Sequence, residues 1–213
     1  MTPMATAILT IFDQAPEGEI HSAGDLLHLG PRAGVARCLS HLCKNGELLR
    51  IDRGLYVRRI ATRFGLRGPS IPYLIDAVAR RTGETIVSEG GKCANRLGLT
   101  LHVPMRSIFL TSGVTRVLAI NRAQVELRHT RCWTLALGGG ILGDAARAVQ
   151  WCGSSDLPET LKRLRRTLTP DDWRAFCERR AQFPDWMATA VEQYLATDFP
   201  SSRPGQHENQ VFD

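Results

Sequence analysis

PRAGVARCLSHLCKNGELLRIDRGLYV, residues 31 to 57, begins with the spacing of an amphipathic helix and ends with that of a two-stranded ribbon. At 100° per residue, one arc of the helix collects the apolar side chains Val35, Cys38, Leu39, Leu42 and Cys43. The opposite arc collects the polar and basic side chains Arg37, Ser40, His41 and Lys44. We therefore expect one face of this helix to pack and the other to face outward.

The end of this helix is marked by Asn45-Gly46, a pair that readily adopts the left-handed conformation of a helix stop. Two short apolar runs, 48–51 and 55–57, follow it and flank the turn Asp52-Arg53-Gly54. This pattern predicts a β-hairpin directly after the helix, with Arg53 at its tip.

Two further helices are predicted upstream. The first, over residues 4–15, follows from apolar side chains at helical spacing: Met4, Ile8, Ile11 and Phe12. The second begins at Ser22, which can cap it with Asp25 three residues on, and ends at Gly30. Three helices followed by a hairpin predict a winged helix-turn-helix over residues 1–60.

In such a domain the third helix enters the major groove of DNA, and the hairpin meets the backbone or the minor groove. We therefore expect double-stranded DNA as a partner. The candidate DNA-binding residues are Arg32, Arg37, Ser40, His41, Lys44, Arg53, Tyr56 and Arg58. Residues 31–60 carry seven Arg or Lys against two acids, whereas residues 1–30 carry four acids and no Lys or Arg. This asymmetry favours DNA binding; the alternative is a winged helix used only for protein contacts.

The composition of the whole chain also favours a polyanionic partner. Its 213 residues carry a net charge of +6, and 24 of the 27 basic residues are arginines, which bind phosphate through paired hydrogen bonds. No apolar run approaches the roughly 20 residues of a membrane span, and the first residues do not resemble a signal peptide. We expect a cytoplasmic protein without a membrane partner. The six cysteines form no C-x-x-C pair, which predicts reduced thiols rather than a zinc site.

The rest of the chain is predicted to form a linker and a second domain. Residues 61–70 are basic and interrupted by Gly and Pro, which predicts the linker. Residues 71–199 predict a helix from 71, a short helix at 91–97, strands at 85–87, 107–111, 115–120 and 124–129, and four helices between 143 and 197. The last two strands are joined by a turn at 121–122. The composition of residues 200–213 predicts a disordered tail.

The predicted fold class is α+β, with an N-terminal winged helix-turn-helix, a small mixed α/β domain and a C-terminal helical portion. Four segments carry a resemblance to a known family: RGLYVRR (53–59), SEGGKCANRLGLTLHVP (88–104), IFLTSGVTR (108–116) and VELRHT (125–130). In their order they resemble the AbiE-type antitoxins of bacterial type IV toxin–antitoxin systems, over roughly residues 5 to 135.

This resemblance implies a winged helix that represses the protein's own operon, and we expect it to bind that promoter at inverted repeats. It also implies that the remaining portion neutralises a nucleotidyltransferase-like toxin, without necessarily forming a stable complex with it. Systems of this type act in abortive infection, a form of phage defence.

Motifs typical of enzymes are weak in this sequence. Gly138-Gly139-Gly140 before a helix either cradles a phosphate or forms a flexible joint, and Gly90-Gly91-Lys92 either binds an anion or makes a tight turn. The basic cluster from Lys162 to Arg166 either contacts a polyanion or is a solvated face. Three functions are therefore weighed: an autorepressing antitoxin, a stand-alone winged-helix regulator with an effector or dimerisation domain, and a nucleic-acid enzyme. The antitoxin is the expectation, with no catalytic residue, cofactor or metal.

Overall fold

The computed structural model describes residues 2–120, 123–130 and 133–198. Within these residues the chain is a mixed α+β structure with eight α-helices, two two-stranded sheets and one four-stranded sheet. The α+β class predicted from the sequence is confirmed. The predicted tail, 200–213, and the predicted turn at 121–122 lie outside the described residues.

The N-terminal part is built on two α-helices, α1 (Pro3–Gln14) and α2 (Arg32–Lys44). Thr2 caps α1, because its hydroxyl oxygen accepts a hydrogen bond from the N–H of Ala5 at 3.3 Å. The predicted apolar arc of α2 is confirmed, since Val35, Leu39 and Leu42 are buried. The helix ends at Asn45, and Gly46 follows it in the left-handed region at φ +78°.

The predicted second helix is wrong. Residues 23–26 form turns, and only Leu27–Leu29 make a single 3₁₀ turn before Gly30. The N–H and the hydroxyl of Ser22 both donate to the Asp25 carboxylate, at 2.7 and 3.0 Å, so the hydroxyl stabilises a turn rather than a helix start. Within 22–29 only Leu26 is fully buried, and Ala23 and Leu29 are partly buried against the same cluster. This is less apolar burial than a stable α-helix in a protein usually has.

The predicted hairpin after α2 is confirmed as β1 (Leu48–Asp52) and β2 (Leu55–Arg58), which pair antiparallel with Leu49 opposite Val57. Gly54 turns the chain at φ +74°. His21 adds a one-residue third strand. Its N–H donates to the carbonyl of Tyr56, and its carbonyl accepts from the N–H of Tyr56, each at 2.9 Å. The ribbon is thereby joined to the segment between α1 and α2.

The segment predicted as a linker forms a second hairpin instead, with strands β3 (Ile60–Thr62) and β4 (Gly65–Arg67). The Thr62 hydroxyl donates to the carbonyl of Gly65 at 2.7 Å and accepts from the N–H of Phe64 at 3.2 Å. These two bonds close the turn. Residues 61–67 are all exposed, so the hairpin is held by its backbone rather than by a core.

The middle of the chain is a four-stranded sheet with helices beside it. Its strands are β5 (Ile86–Ser88), β6 (Ser107–Thr111), β7 (Arg116–Ile120) and β8 (Ala123–His129), in the order β5-β6-β8-β7. Only β6 and β8 are parallel; the other two pairs are antiparallel. Helix α3 (Ile71–Thr82) precedes the sheet, and α4 (Gly90–Arg96) follows β5. These strands and helices match the predicted ones within two residues.

The β1–β2 ribbon lies between two hydrophobic clusters. Leu48 and Tyr56 belong to the N-terminal cluster, with the buried side chains Ala5, Ile8, Leu9, Phe12, Leu26, Val35, Leu39 and Leu42. Leu49, Ile51 and Val57 point to the other side and belong to a shared cluster, with Ile20, Leu74, Ile75, Ala77, Val78, Phe109, Leu118, Ile120, Val125 and Leu127. Strand β1 therefore packs against β7, and one core crosses the boundary predicted between residues 60 and 71.

The C-terminal portion is helical, as predicted. It comprises α5 (Ile141–Cys152), α6 (Leu157–Thr167), α7 (Pro170–Glu178) and α8 (Asp185–Asp198), with a 3₁₀ turn at Arg179–Gln182. Thr169 caps α7 through its hydroxyl, which accepts from the Asp172 N–H at 3.1 Å. A third cluster joins these helices to α4, with Cys93, Ala146, Leu161 and Phe176 among its members.

Candidate nucleic-acid interface

The outward face of α2 carries the side chains that the sequence assigned to it. Arg32, Arg37, Ser40, His41 and Lys44 are all exposed. None of the described residues places a carboxylate within ion-pair distance of the three cations among them. The face therefore presents uncompensated positive charge to the solvent.

Two polar side chains on this face have neighbours that fix their hydrogen-bonding roles. The Ser40 hydroxyl donates to the carbonyl of Ala36 at 2.9 Å, which leaves its oxygen lone pairs as outward acceptors. Asn45 Nδ2 lies 3.3 Å from Nδ1 of His41. When the Asn45 amide donates to Nδ1, the neutral His41 ring carries its proton on Nε2, which is then an outward donor. The pair offers one acceptor and one donor to a ligand.

The start of α1 borders this face. Together α1 and α2 form an open groove of about 720 Å³, and Met4, Arg37 and His41 line it. The backbone of α2 comes close to α1 at Gly34, where an added Cβ would lie 3.8 Å from the Met4 methyl carbon. Arg37 and His41 consequently stand at the edge of a concave surface, not on an isolated ridge.

The ribbon presents a different part of the predicted set. Arg53 is exposed at its tip, and its N–H donates to the Asp52 carboxylate at 2.6 Å. The prediction of Tyr56 as a DNA contact is corrected by its burial, because the side chain is 6% exposed within the N-terminal cluster. Arg58 is not a free cation either: its Nε lies 2.6 Å from Asp13, and its Nη1 lies 2.8 Å from Glu47. These carboxylates outweigh the effect of burial and raise the pKa of Arg58.

Two cations of the ribbon were missed by the sequence analysis. Arg50 is the one exposed residue of β1, and its Nε donates to the carbonyl of Asp52 at 3.3 Å. Arg59 follows β2 and lies beside the end of α2, with its guanidinium 3.9 Å from where a Cβ on Gly46 would stand. The alternation of β1 indicated Arg50, whereas nothing in the sequence pattern indicated Arg59.

The acids of the first thirty residues are all paired with arginines from later in the chain. Arg58 holds Asp13, Arg67 holds Glu17, Arg80 holds Glu19 and Arg81 holds Asp25, with N···O distances from 2.6 to 3.0 Å. The hydrogen bonds from Arg67 lower the pKa of Glu17. The negative charge of this segment is thus neutralised internally. The positive charge is not neutralised in this way at six other residues: Arg32, Arg37, Lys44, Arg50, Arg53 and Arg59.

The two glycine motifs come together in the middle of the protein. Lys92 and Gly139-Gly140 line one cavity of about 300 Å³. The Glu89 carboxylate accepts from the Gly91 N–H at 3.0 Å, so the protein's own side chain occupies the start of α4. A Cβ on Gly90 would stand 2.6 Å from the carbonyl oxygen of Arg147, which shows how closely α4 packs on α5. These contacts give Gly90 and Gly91 a packing role.

A buried ionic network ties the second glycine turn to α5. Arg147, 1% exposed, donates from Nη1 to the carbonyls of Thr134 and Gly138, each at 2.9 Å, and from Nη2 to Asp144 at 2.8 Å. The Sγ of Cys93 lies 3.3 Å from the same carboxylate. Burial, followed by the Asp144 charge, raises the pKa of Cys93 to about 11, so its thiol stays protonated at neutral pH.

The described part of the chain contains neither a metal-binding cluster nor a helix suited to crossing a membrane. No three His, Cys, Asp or Glu side chains there lie close enough together to hold a metal ion. None of the helices in that part has the length and apolar character that a membrane crossing requires. In the basic cluster of α6, Lys162 and Arg163 pair with Glu159, whereas Arg166 is exposed.

Comparison with known protein families identifies a match over most of the chain. The model of a family described as a family of unknown function, DUF6088, matches residues 7–172. The match covers more than three quarters of the chain and includes most of α1, and all of α2, the ribbon, the four-stranded sheet and α5. No curated protein matches the chain.

Proposed function

The chain belongs to the DUF6088 family, whose function is not known, and we propose that it is a DNA-binding antitoxin that represses its own operon. The observation that carries the DNA-binding part is the separation of charge in the N-terminal sixty residues. The acids of residues 1–30 are each held by an arginine, and the outward cations of α2 and the ribbon have no carboxylate partner among the described residues. Such an excess of positive charge attracts phosphate.

The order of elements supports a winged helix-turn-helix. A first helix, a one-residue strand at His21, a short 3₁₀ turn, a second α-helix and a two-stranded ribbon follow one another in the chain. In this proposal the 3₁₀ turn stands where a full helix is usual. Helix α2 is the recognition helix, with Arg37, Ser40 and His41 toward base edges, and Arg32, Lys44 and Arg53 toward phosphates.

The antitoxin part of the proposal comes from the resemblance to AbiE-type antitoxins. It assigns the four-stranded sheet and the C-terminal helices to the neutralisation of a nucleotidyltransferase-like toxin. A stand-alone winged-helix regulator would use the same recognition helix. Expression of this protein beside the product of the neighbouring gene, scored by growth, separates the two: we expect rescue of growth, and toxicity that persists unchanged would leave only the regulator.

Titration of promoter DNA tests the recognition helix. The probe is the duplex upstream of the protein's own reading frame, compared with a random duplex of equal length at two salt concentrations. We expect Arg37→Ala to weaken promoter binding by about 1–3 kcal/mol and to relax base preference, and Lys44→Ala to weaken both duplexes alike. Arg166→Ala removes another exposed cation, on α6; it is the matched control and should bind as the wild type does. Wild-type affinity in the Arg37 and Lys44 variants would refute the assigned face.

A further inference from the structure

The β3–β4 hairpin projects from the protein with an aromatic side chain at its tip. Phe64 is 86% exposed and Leu66 is 50% exposed, and every residue of β4 is exposed. The guanidinium of Arg63 lies 4.6 Å from the centre of the Phe64 ring, which gives the tip a flat, positively charged surface. A phenyl ring in water costs free energy unless a partner covers it.

The charge around the hairpin identifies the kind of partner. Between Asp52 and Asp76 the chain contains no acid and five arginines, Arg53, Arg58, Arg59, Arg63 and Arg67. Arg58 and Arg67 are held by carboxylates, so Arg53, Arg59 and Arg63 carry the uncompensated charge. The charge of this stretch therefore complements a polyanion rather than an apolar protein surface.

The base of the hairpin is fixed while its tip is free. Arg67 Nη1 lies 3.0 Å from Glu17, which also accepts from the N–H of Ser70 at 2.9 Å. Gly68 and Pro69 behind it are buried. At the other side of the base, the N–H of Arg59 donates to the carbonyl of Glu47 at 3.3 Å, close to the end of α2. The base of the β3–β4 hairpin therefore lies at the end of the β1–β2 ribbon that is next to the C-terminal end of α2, the proposed recognition helix.

We propose that the β3–β4 hairpin is a second wing, which inserts Phe64 at a base step of the minor groove and places Arg63 beside it. This inference rests on the proposed DNA binding by α2. Proteins that read the minor groove combine arginine with an apolar wedge such as phenylalanine, and the wedge bends the duplex. Arg59 and Arg63 then contact the phosphates that flank the segment of major groove occupied by α2.

The test uses the full-length protein, a promoter duplex labelled at both ends with a fluorescence donor and acceptor, and two salt concentrations. We expect the wild type to shorten the distance between the two labels. Phe64→Ala should abolish that shortening and lower affinity about tenfold, with the salt dependence unchanged. Arg63→Ala should lower affinity and reduce the slope of log K against log salt by about one unit. Circular dichroism shows whether each variant is folded.

Met105→Ala and Arg106→Ala are the matched controls and should behave as the wild type. Met105 is a similarly exposed apolar side chain, Arg106 is an exposed cation, and both lie outside residues 53–75. If the two hairpin variants bind and bend DNA as the wild type does while Arg37→Ala loses binding, the second wing is refuted and the recognition helix stands. If the wild type does not prefer the promoter, both proposals fail. Loss of growth rescue by Phe64→Ala with unaltered DNA binding would assign the hairpin to a protein partner and also refute the second wing.

Discussion

Arg81 of α3 holds Asp25, which lies in the turn before α2, with 2.8 Å between Nη2 and the carboxylate. The same guanidinium donates to the carbonyl of Ile20 at 3.0 Å and to the hydroxyl of Ser22 at 3.1 Å. One arginine of the middle part therefore fixes the segment between α1 and α2. Together with the shared cluster, this makes the N-terminal part continuous with the four-stranded sheet.

The first prediction concerns this continuity. A fragment from Gly68 onward loses Leu49, Ile51 and Val57, so the shared-cluster residues of α3 and β7 would be exposed to water. We expect the fragment to unfold at a lower temperature than the full chain and to bind a dye for exposed apolar surface. Thermal unfolding followed by circular dichroism measures this. A fragment with the melting temperature of the full chain would show that the two parts are independent.

The second prediction concerns pH. Burial lowers the pKa of His21, whose Nε2 has no hydrogen-bond partner among the described residues and whose ring lies 4.7 Å from that of Phe12. Because the folded state binds the proton more weakly than the unfolded state, the contribution of His21 to stability is complete above its ordinary pKa of about 6.5. That contribution is lost as the pH falls from there through the lowered value.

We expect the free energy of unfolding of the wild type to decrease between pH 7 and pH 5, measured by urea denaturation. His21→Gln should flatten this decrease, since glutamine does not titrate and the backbone bonds of residue 21 to Tyr56 remain. The carboxyls with lowered pKa values, such as Glu17 and Glu84, titrate below this range. Equal slopes in the two proteins would contradict the prediction.

The third prediction concerns the buried ion pair of α5. Arg147→Ala leaves the Asp144 carboxylate, 8% exposed, with the partly exposed Arg96 at 2.7 Å as its remaining ion-pair partner and the Cys93 thiol at 3.3 Å. We expect a loss of about 3 kcal/mol in the free energy of unfolding, because the Asp144 carboxylate loses its fully buried partner and the carbonyls of Thr134 and Gly138 lose their donor. Arg163→Ala breaks an exposed pair on α6 and should cost less than about 1 kcal/mol. Comparable losses in the two variants, measured by chemical denaturation, would show that burial of the Arg147 pair does not matter.

The fourth prediction concerns Gly113, which lies against the Glu84 carboxylate. A Cβ on Gly113 would collide with that carboxylate, which accepts from Arg116 at 2.9 and 3.0 Å and from Thr111 at 2.8 Å. Burial alone would raise the pKa of Glu84, but the hydrogen bonds from Arg116 and Thr111 outweigh this effect. The pKa of Glu84 is therefore lower than its ordinary value.

Gly113→Ala should therefore destabilise the protein by about 1–3 kcal/mol, because the displaced carboxylate loses these partners. Gly139→Ala is the matched control. Nothing lies within 4 Å of a Cβ at that position and its φ is not positive, so its stability should stay within about 0.5 kcal/mol of the wild type. Midpoints of urea denaturation measure both. A Gly113 variant as stable as the Gly139 variant would mean that the Glu84 carboxylate moves without any loss of stability.

The local elements were predictable because their causes lie within a few residues. The apolar arc of α2, its stop at Asn45-Gly46 and the turn at Gly54 follow from side-chain period and backbone conformation alone. For the same reason the exposed positions Arg37, Ser40, His41 and Lys44 were assigned correctly to one face. The helix predicted over residues 22–29 was wrong because Ser22, Asp25 and Leu26 suit a capped helix as well as a turn, and only the packed structure distinguishes the two.

The sequence by itself determined the α+β class, the bounds of most elements and which side of α2 faces outward, since these depend on period, caps and turns. The tertiary structure decided which charges are free and which faces are covered. Tyr56 and Val57 alternate along β2 in a way that identifies two faces, but only packing reveals that a cluster covers each of them. Likewise Arg58 and Arg53 look alike in sequence, and only the folded chain brings Asp13 and Glu47 to one of them. Pairings across 45 residues of chain depend on long-range contacts, which no local pattern records.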